Sequence, residues 1–419
     1  MIKKIFKGIL IFLVSLIILI GIGDFLWINI PKLNARKNIS DIEDYGKAVS
    51  QINLDDNIQV VGLGEAAHGN FDFQDLKLEV LKTLVEKNNL KSFAIEADFG
   101  EGMIINNYIH GNKRDENISR IFSFNIYHTK NMSDLINYMF DYNQKAKDED
   151  KLSFYGFDMQ NPEKSIDLIL DFCKENNILQ EKDLKKELSF IKDEKIKISQ
   201  IKDKEALLLE IKAYADALSS SDAKIASRAL TNILNSIKYY ELDFNDYVKV
   251  NNVRDELMAE NVKWISDFEK SKGNKMLLIS GHNGHIAKSE KFYEPMGSHL
   301  KKIFGEKYFI IGTDFYKGIV NINVAGPDNK RSNHVFVSAD PLAYSARKFK
   351  GKYYLDFTKV KDGETFDLIN KEINMISLGE GYSPLMKFIP TTYRVKEVPK
   401  DLYDAMIFVY YAKSIAVND

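Results

Sequence analysis

Short apolar blocks recur along the chain at 58–63, 91–95, 152–157 and 275–280, each five or six residues long and each running into glycine or charge. Blocks of that length and continuity read as strands buried on both faces, the habit of a parallel sheet. Between the first two, Leu76, Leu78, Val80, Leu81, Leu84 and Val85 recur at helical spacing and predict a helix over 74–87 with one apolar face. The alternation predicts an α/β domain with a central, mainly parallel sheet flanked by helices. Further apolar blocks at 308–312, 319–324, 353–357, 375–378 and 405–411 complete the sheet, with a helix over 296–304 between two strands. From 163 to 268 the pattern is helical and strand-free, so this stretch reads as a helical insertion. Its charge run, Glu181 to Glu205, reads as a solvated helix face.

The amino terminus breaks the pattern. Lys3, Lys4 and Lys7 precede an apolar stretch over 8–22, and after Asp24 the run resumes as Phe25-Leu26-Trp27-Ile28. Its length suits a bilayer, with Trp27 as an interfacial anchor, and the leading lysines predict a cytoplasmic amino end. A cleaved signal peptide is the rival, but no Ala-x-Ala-like site follows, and no cysteine is placed for a lipid anchor. The expectation is a single-pass cell-membrane protein: a signal anchor over 1–28, a linker over 29–40, and an extracytoplasmic domain over 41–419.

Composition adds exclusions. Hydrophobic residues make up 45% and charged residues 28%, with a formal net charge of -2, so neither disorder nor nucleic-acid binding is expected. The single cysteine rules out an intramolecular disulfide. Cys173, beside Leu170 and Phe172, reads as a buried small hydrophobe.

Chemistry gathers where the strands end. The first block runs into Gly62-Leu63-Gly64-Glu65-Ala66-Ala67-His68-Gly69, the second into Glu96-Ala97-Asp98, the third into Asp158, and the fourth into Gly281-His282-Asn283-Gly284-His285. Three of the seven histidines thus leave two strands at their carboxyl ends, where open α/β sheets place ligands. The bland reading of Glu65 as a helix cap and His68 as a core histidine weakens once four strand ends agree.

Those motifs, with Arg254-Asp255-Glu256-Leu257-Met258-Ala259-Glu260-Asn261, Met296-Gly297-Ser298-His299-Leu300 and Ile311-Gly312-Thr313, resemble the erythromycin esterase family from about Asp41 onward. The resemblance implies an esterase in which His68 is the general base that activates water against a macrolide lactone. It carries over Glu96 as an active-site carboxylate, Arg254 as the arginine opening an arginine-aspartate helix, and His282 and His285 as a later pair, and it implies that the helical insertion over 163–268 walls the cleft. One position departs: relatives commonly carry arginine where this chain has Lys77, which keeps the charge and loses the planar fork. Lys77 and Asp158 stand as substrate-binding candidates.

The residues support hydrolysis by themselves. A neutral imidazole can take a proton from attacking water, a carboxylate such as Glu65 or Glu96 can fix its tautomer, and Arg254 and His285 can meet the charge of the tetrahedral intermediate. No Gly-x-Ser-x-Gly elbow is present, which disfavours a covalent serine route. No cofactor is expected. A divalent metal held by His282, His285, Glu65 and Glu96 is the alternative, in a hydrolase of another bond such as a peptide, although His-Glu-x-x-His and paired cysteines are missing. A non-enzymatic module binding haem or a glycan is a further alternative. Gly62-x-Gly64-x-x-Ala67 imitates a dinucleotide fingerprint, but its acid comes too late and His68 would crowd the pyrophosphate. Phe315, Tyr316, Phe336, Tyr344, Tyr382 and Tyr393 are expected mostly in the core, with some left to line a pocket. The expected partners are a small ester substrate and the membrane.

Overall fold

A computed structural model describes residues 2–178, 204–326 and 330–417. The charge run Glu181 to Glu205 falls almost wholly outside the described residues. Two compact units are formed, one from residues 1–48, 66–72 and 313–414 and a larger one from residues 49–65, 73–312 and 415–419.

In the larger unit, β1 (Val60–Glu65), β2 (Ser92–Asp98), β3 (Ser153–Asp158) and β4 (Leu277–His282) lie parallel in the order β3-β2-β4-β1, and β5 (Tyr308–Val324) starts alongside β1. All residues of the first four strands are buried, which explains their continuous apolar runs. The register pairs Val60 with Leu277 and Glu65 with His282, so the polar ends of β1 and β4 finish level. Each strand extends one to three residues beyond its apolar block, because a buried terminal Glu, Asp or His still completes the ladder. Helices Phe71–Asn88, Phe99–His110 and Lys130–Asn143 connect the strands. The strand-free stretch forms helices Glu163–Glu175, Glu205–Asp216, Ser221–Tyr240 and Tyr247–Ser271 among the described residues, and a helix at Met296–Phe304 matches its expectation.

The two expected strands at 308–312 and 319–324 prove to be one. β5 runs on without a break, since the polar Asp314 that interrupts the apolar pattern is buried and hydrogen-bonded, not looped out. Its second half pairs antiparallel with β6 (Arg331–Val337), whose pattern is too polar to read as a strand in sequence. β7 (Lys352–Asp356) pairs antiparallel with β11 (Ala405–Ala412), and β8 (Ile373–Ile376) with β10 (Arg394–Glu397); the two-residue β9 (Gly381–Tyr382) borders β5. Here Phe315, Tyr316, Phe336, Tyr382 and Tyr393 are buried, as core aromatics.

The amino-terminal helix runs Ile2–Asn34, passing through Pro31 into the stretch read as linker. Within its Phe6–Asn34 segment the most apolar 18 residues have a mean hydropathy of 2.8, and the segment is long enough to cross a membrane.

Candidate active site

The carboxyl ends of β2, β3 and β4 and the helix Tyr247–Ser271 bring most of the expected residues together in the larger unit. The register of β2 against β3 shifts between Ile95 and Asp98, across Glu96 and Ala97, and such irregularities re-aim side chains. Glu96 accepts at Oε1 from Arg254 Nη2 (2.8 Å) and at Oε2 from the His282 backbone N–H (2.9 Å). Gly281 permits that approach, because a Cβ there would stand 2.8 Å from Oε2. Asp158 at the end of β3 accepts from the same Nη2 (2.7 Å), and from the Met159 backbone N–H at its other oxygen. Arg254 thus bridges two carboxylates, and its side chain is 12% exposed against 7% for Glu96 and 1% for Asp158. Burial opposes the guanidinium charge, but Asp158 and Glu96 outweigh it and hold its pKa well above the ordinary value.

His285 completes the group through Asp255, a residue that stands in the arginine-aspartate motif and to which the sequence alone assigns no role. His285 Nδ1 donates to Asp255 (2.8 Å), and Asp255 also accepts from the Met296 backbone N–H (2.7 Å). Arg254 Nη1 lies 3.0 Å from His285 Nε2. Guanidinium can only donate, so Nε2 holds a lone pair and Nδ1 holds the proton. Burial lowers the pKa of His285, yet Asp255 and Glu96 raise it more, and the net shift is upward. A proton arriving at Nε2 would displace Arg254 Nη1 toward its carboxylates, with Glu96 Oε1 at 3.5 Å ready to receive the new N–H. His282 has the opposite tautomer: its Nδ1 accepts from Gly284 N–H (3.2 Å), which leaves the proton on Nε2.

Glu65, at the end of β1, is paired with Lys77, and both side chains are nearly inaccessible, at 2% and 1% exposed. The Lys77 ammonium is therefore directed at a buried carboxylate, with which it balances charge. His68 lies three residues beyond Glu65, in the smaller unit, and is 9% exposed. Its turn is fixed within that unit: Ala66 N–H donates to Thr313 Oγ1 (3.0 Å), Leu378 N–H donates to the Ala66 carbonyl (2.9 Å), and Ala67 bridges to Leu378. Glycine is required at 69, since a Cβ would run into the Asn321 backbone.

A sequence profile of the erythromycin esterase family matches residues 85–411. The chain belongs to the erythromycin esterase family. It is 25% identical over 304 residues to erythromycin esterase type II from Escherichia coli, covering 62% of this chain and 70% of that one. Two solved structures share the fold. A Bacillus cereus protein superposes with a TM-score of 0.73 at 20% identity, covering 93% of this chain and 99% of its own. A histidine-to-asparagine mutant of erythromycin esterase EreC, in its open conformation, superposes with a TM-score of 0.64 at 15% identity, covering 90% and 99%. The fold class expected from sequence is thereby shown, and the protein is an erythromycin esterase-family hydrolase.

The aromatic surface near the site comes from elsewhere than the sequence suggested. In the larger unit Tyr239, Tyr240 and Phe244 form one group of ring contacts and Tyr247 and Tyr293 another, and the Tyr293 ring lies 6.5 Å from that of His285. Phe244 and Tyr247 are 53% and 61% exposed. Their spacing at the turn between two helices offers no periodic signal.

Proposed function

We propose that the protein hydrolyses a carboxylic ester or macrolide lactone, and that it does so outside the cytoplasm while held to the membrane by its amino-terminal helix. The observation that carries this reading is the buried relay Asp255–His285–Arg254, closed by Glu96 and Asp158. It fixes a guanidinium in a desolvated setting, where positive charge acts strongly on an oxyanion. Because Arg254 occupies the Nε2 lone pair of His285, His285 is a positioning residue, and the base role stays with His68, as the family resemblance implies. Water attacks the acyl carbon as the base takes its proton; Arg254 and the Nε2–H of His282 are the groups of the larger unit suited to an oxyanion; collapse expels the alkoxide, which takes that proton back from the base and leaves as alcohol. The exposed Phe244 and Tyr247 suit an apolar substrate. The reading assigns no metal, since of the carboxylates expected to ligate one Glu96 directs Oε1 at Arg254 and Oε2 at the His282 N–H, and Glu65 is paired with Lys77.

The experiment is turnover of a macrolide panel and of simple esters by the full chain in detergent, followed by mass spectrometry, beside His68→Ala and with a chelator present. A mass gain of one water that survives chelation and disappears in the variant is expected. Turnover unaffected by His68→Ala, or abolished by chelator, overturns the mechanism. Resistance of the full chain to alkaline extraction from membranes, with protease access only from outside, is the matching expectation for its location.

A further inference from the structure

The smaller unit carries a cluster of large apolar side chains that stays exposed among the described residues. Leu385, Phe388 and Ile389 are 66%, 57% and 40% exposed within five residues, around Lys387, in the stretch between β9 and β10. Scattered exposed apolar residues are ordinary, but three adjacent ones on a short turn form a patch with a purpose. Five residues further on, Arg394 is nearly buried. Its Nη1 donates to the Ile28 carbonyl (3.3 Å), while Nε and Nη2 donate to the Val337 carbonyl (3.0 and 2.9 Å). One guanidinium therefore joins the amino-terminal helix to β6, where Val335 is also 57% exposed. Ile28 lies next to Trp27, at the end of the apolar run where an interfacial tryptophan is expected.

From these contacts we infer that Leu385, Phe388 and Ile389 form a second membrane contact, a lip that enters the outer interface of the bilayer crossed by the amino-terminal helix. The occupant of the patch is lipid. Two observations commit the patch to it: its connection through Arg394 to the helix end, and its charge. Lys387 lies within the patch, and Lys32 is close enough to Arg394 and Arg36 for their charges to bear on it. Exposed apolar side chains with cationic ones beside them are the make-up of a surface that lies among acyl chains and phosphates.

The inference rests on the helix being a membrane anchor, and the test separates the two. The full chain is placed in phosphatidylcholine-phosphatidylglycerol nanodiscs with Phe388→Cys carrying an environment-sensitive nitrobenzoxadiazole dye. Cys173 is buried and its thiol is raised to about 11 by burial, so the introduced thiol alone reacts. A blue-shifted emission, quenched by nitroxides on shallow acyl positions, is expected, and Leu385→Cys should behave alike. A water-like emission overturns the lip, as does a blue shift that lipid nitroxides leave unquenched, which would mark contact with a second copy. Trp27 fluorescence with brominated lipids is read on the same protein. Unquenched Trp27 removes the anchor, whereas quenched Trp27 beside a water-exposed dye removes the lip alone.

Discussion

Substitution of Arg254 by glutamine removes the cation shared by Glu96 and Asp158 while keeping a donor of similar reach. Both carboxylates are more than nine-tenths buried, and each directs an oxygen at the guanidinium within 2.8 Å. Breaking a buried pair by deleting one partner costs about 3–5 kcal/mol, because a charge is left in a medium that solvates it poorly. Two carboxylates lose the same cation here, which puts Arg254→Gln at the upper end of that range. Asp158→Asn in the Arg254→Gln background relieves one uncompensated charge and should recover roughly 2 kcal/mol. The double mutant is then less destabilised than the sum of the single changes. Urea unfolding of the four proteins at pH 7 measures the coupling directly. Repeating the series at pH 5 tests the cause: a buried carboxylate without its cation takes up a proton, so the Arg254→Gln deficit must shrink as pH falls. A cost below about 1 kcal/mol, the level of exposed pairs, or strict additivity, or a deficit that grows toward acid, would refute the assignment of Arg254 as the electrostatic centre of the site.

Other expectations follow from the same structure. Asp255→Asn should lower kcat at least tenfold with KM little changed, since Nδ1 of His285 loses its acceptor and Arg254 its alignment; steady-state kinetics that show the reverse split would contradict a positioning role. In the smaller unit Asp314 and Asp340 are fully buried neighbours; burial raises both pKa values, that of Asp340 to about 7, and their mutual charge pushes Asp314 higher. Folded pKa values above the unfolded one mean stability that is complete below about pH 4 and lost as pH rises toward 7, on the order of 1.4 kcal/mol for each tenfold gain in proton affinity on folding. Asp340→Asn should flatten that slope in thermal unfolding between pH 5 and 7. Lys77→Ala should destabilise by about 3–5 kcal/mol, and Lys77→Met with Glu65→Leu should recover most of it, as read from denaturant midpoints.

The four polar strand ends were legible because buried parallel strands leave unbroken apolar blocks, and a glycine or an ionisable residue directly after such a block marks the sheet edge. Glu96, Asp158, Arg254, His282 and His285 were all named from sequence, and the structure joins them in one network. Strand order was not legible, since a block of apolar residues does not say which neighbour it adopts. β6 escaped because Arg331, Ser332, Asn333 and His334 interrupt any alternation on an exposed strand. Asp255 went unassigned because its partner His285 is 30 residues away, and only the fold brings an aspartate from a helix to a histidine after a strand. The pairing of Lys77 with Glu65 was hidden for a similar reason. A lysine on the apolar side of a helix gives no sign of whether it reaches for solvent, substrate or a carboxylate under the sheet edge.

That pairing bears on how the sequence can drift. With Glu65 and Lys77 sealed from water, a lineage that loses either residue alone passes through a protein carrying a stranded interior charge, and few chains have that much stability in reserve. The steps open to position 77 are those that keep a cation, lysine to arginine and back, while neutral residues become reachable only when position 65 changes in the same step. The two positions are thus tied in descent as one character, and family members should divide into those with both charges and those with neither.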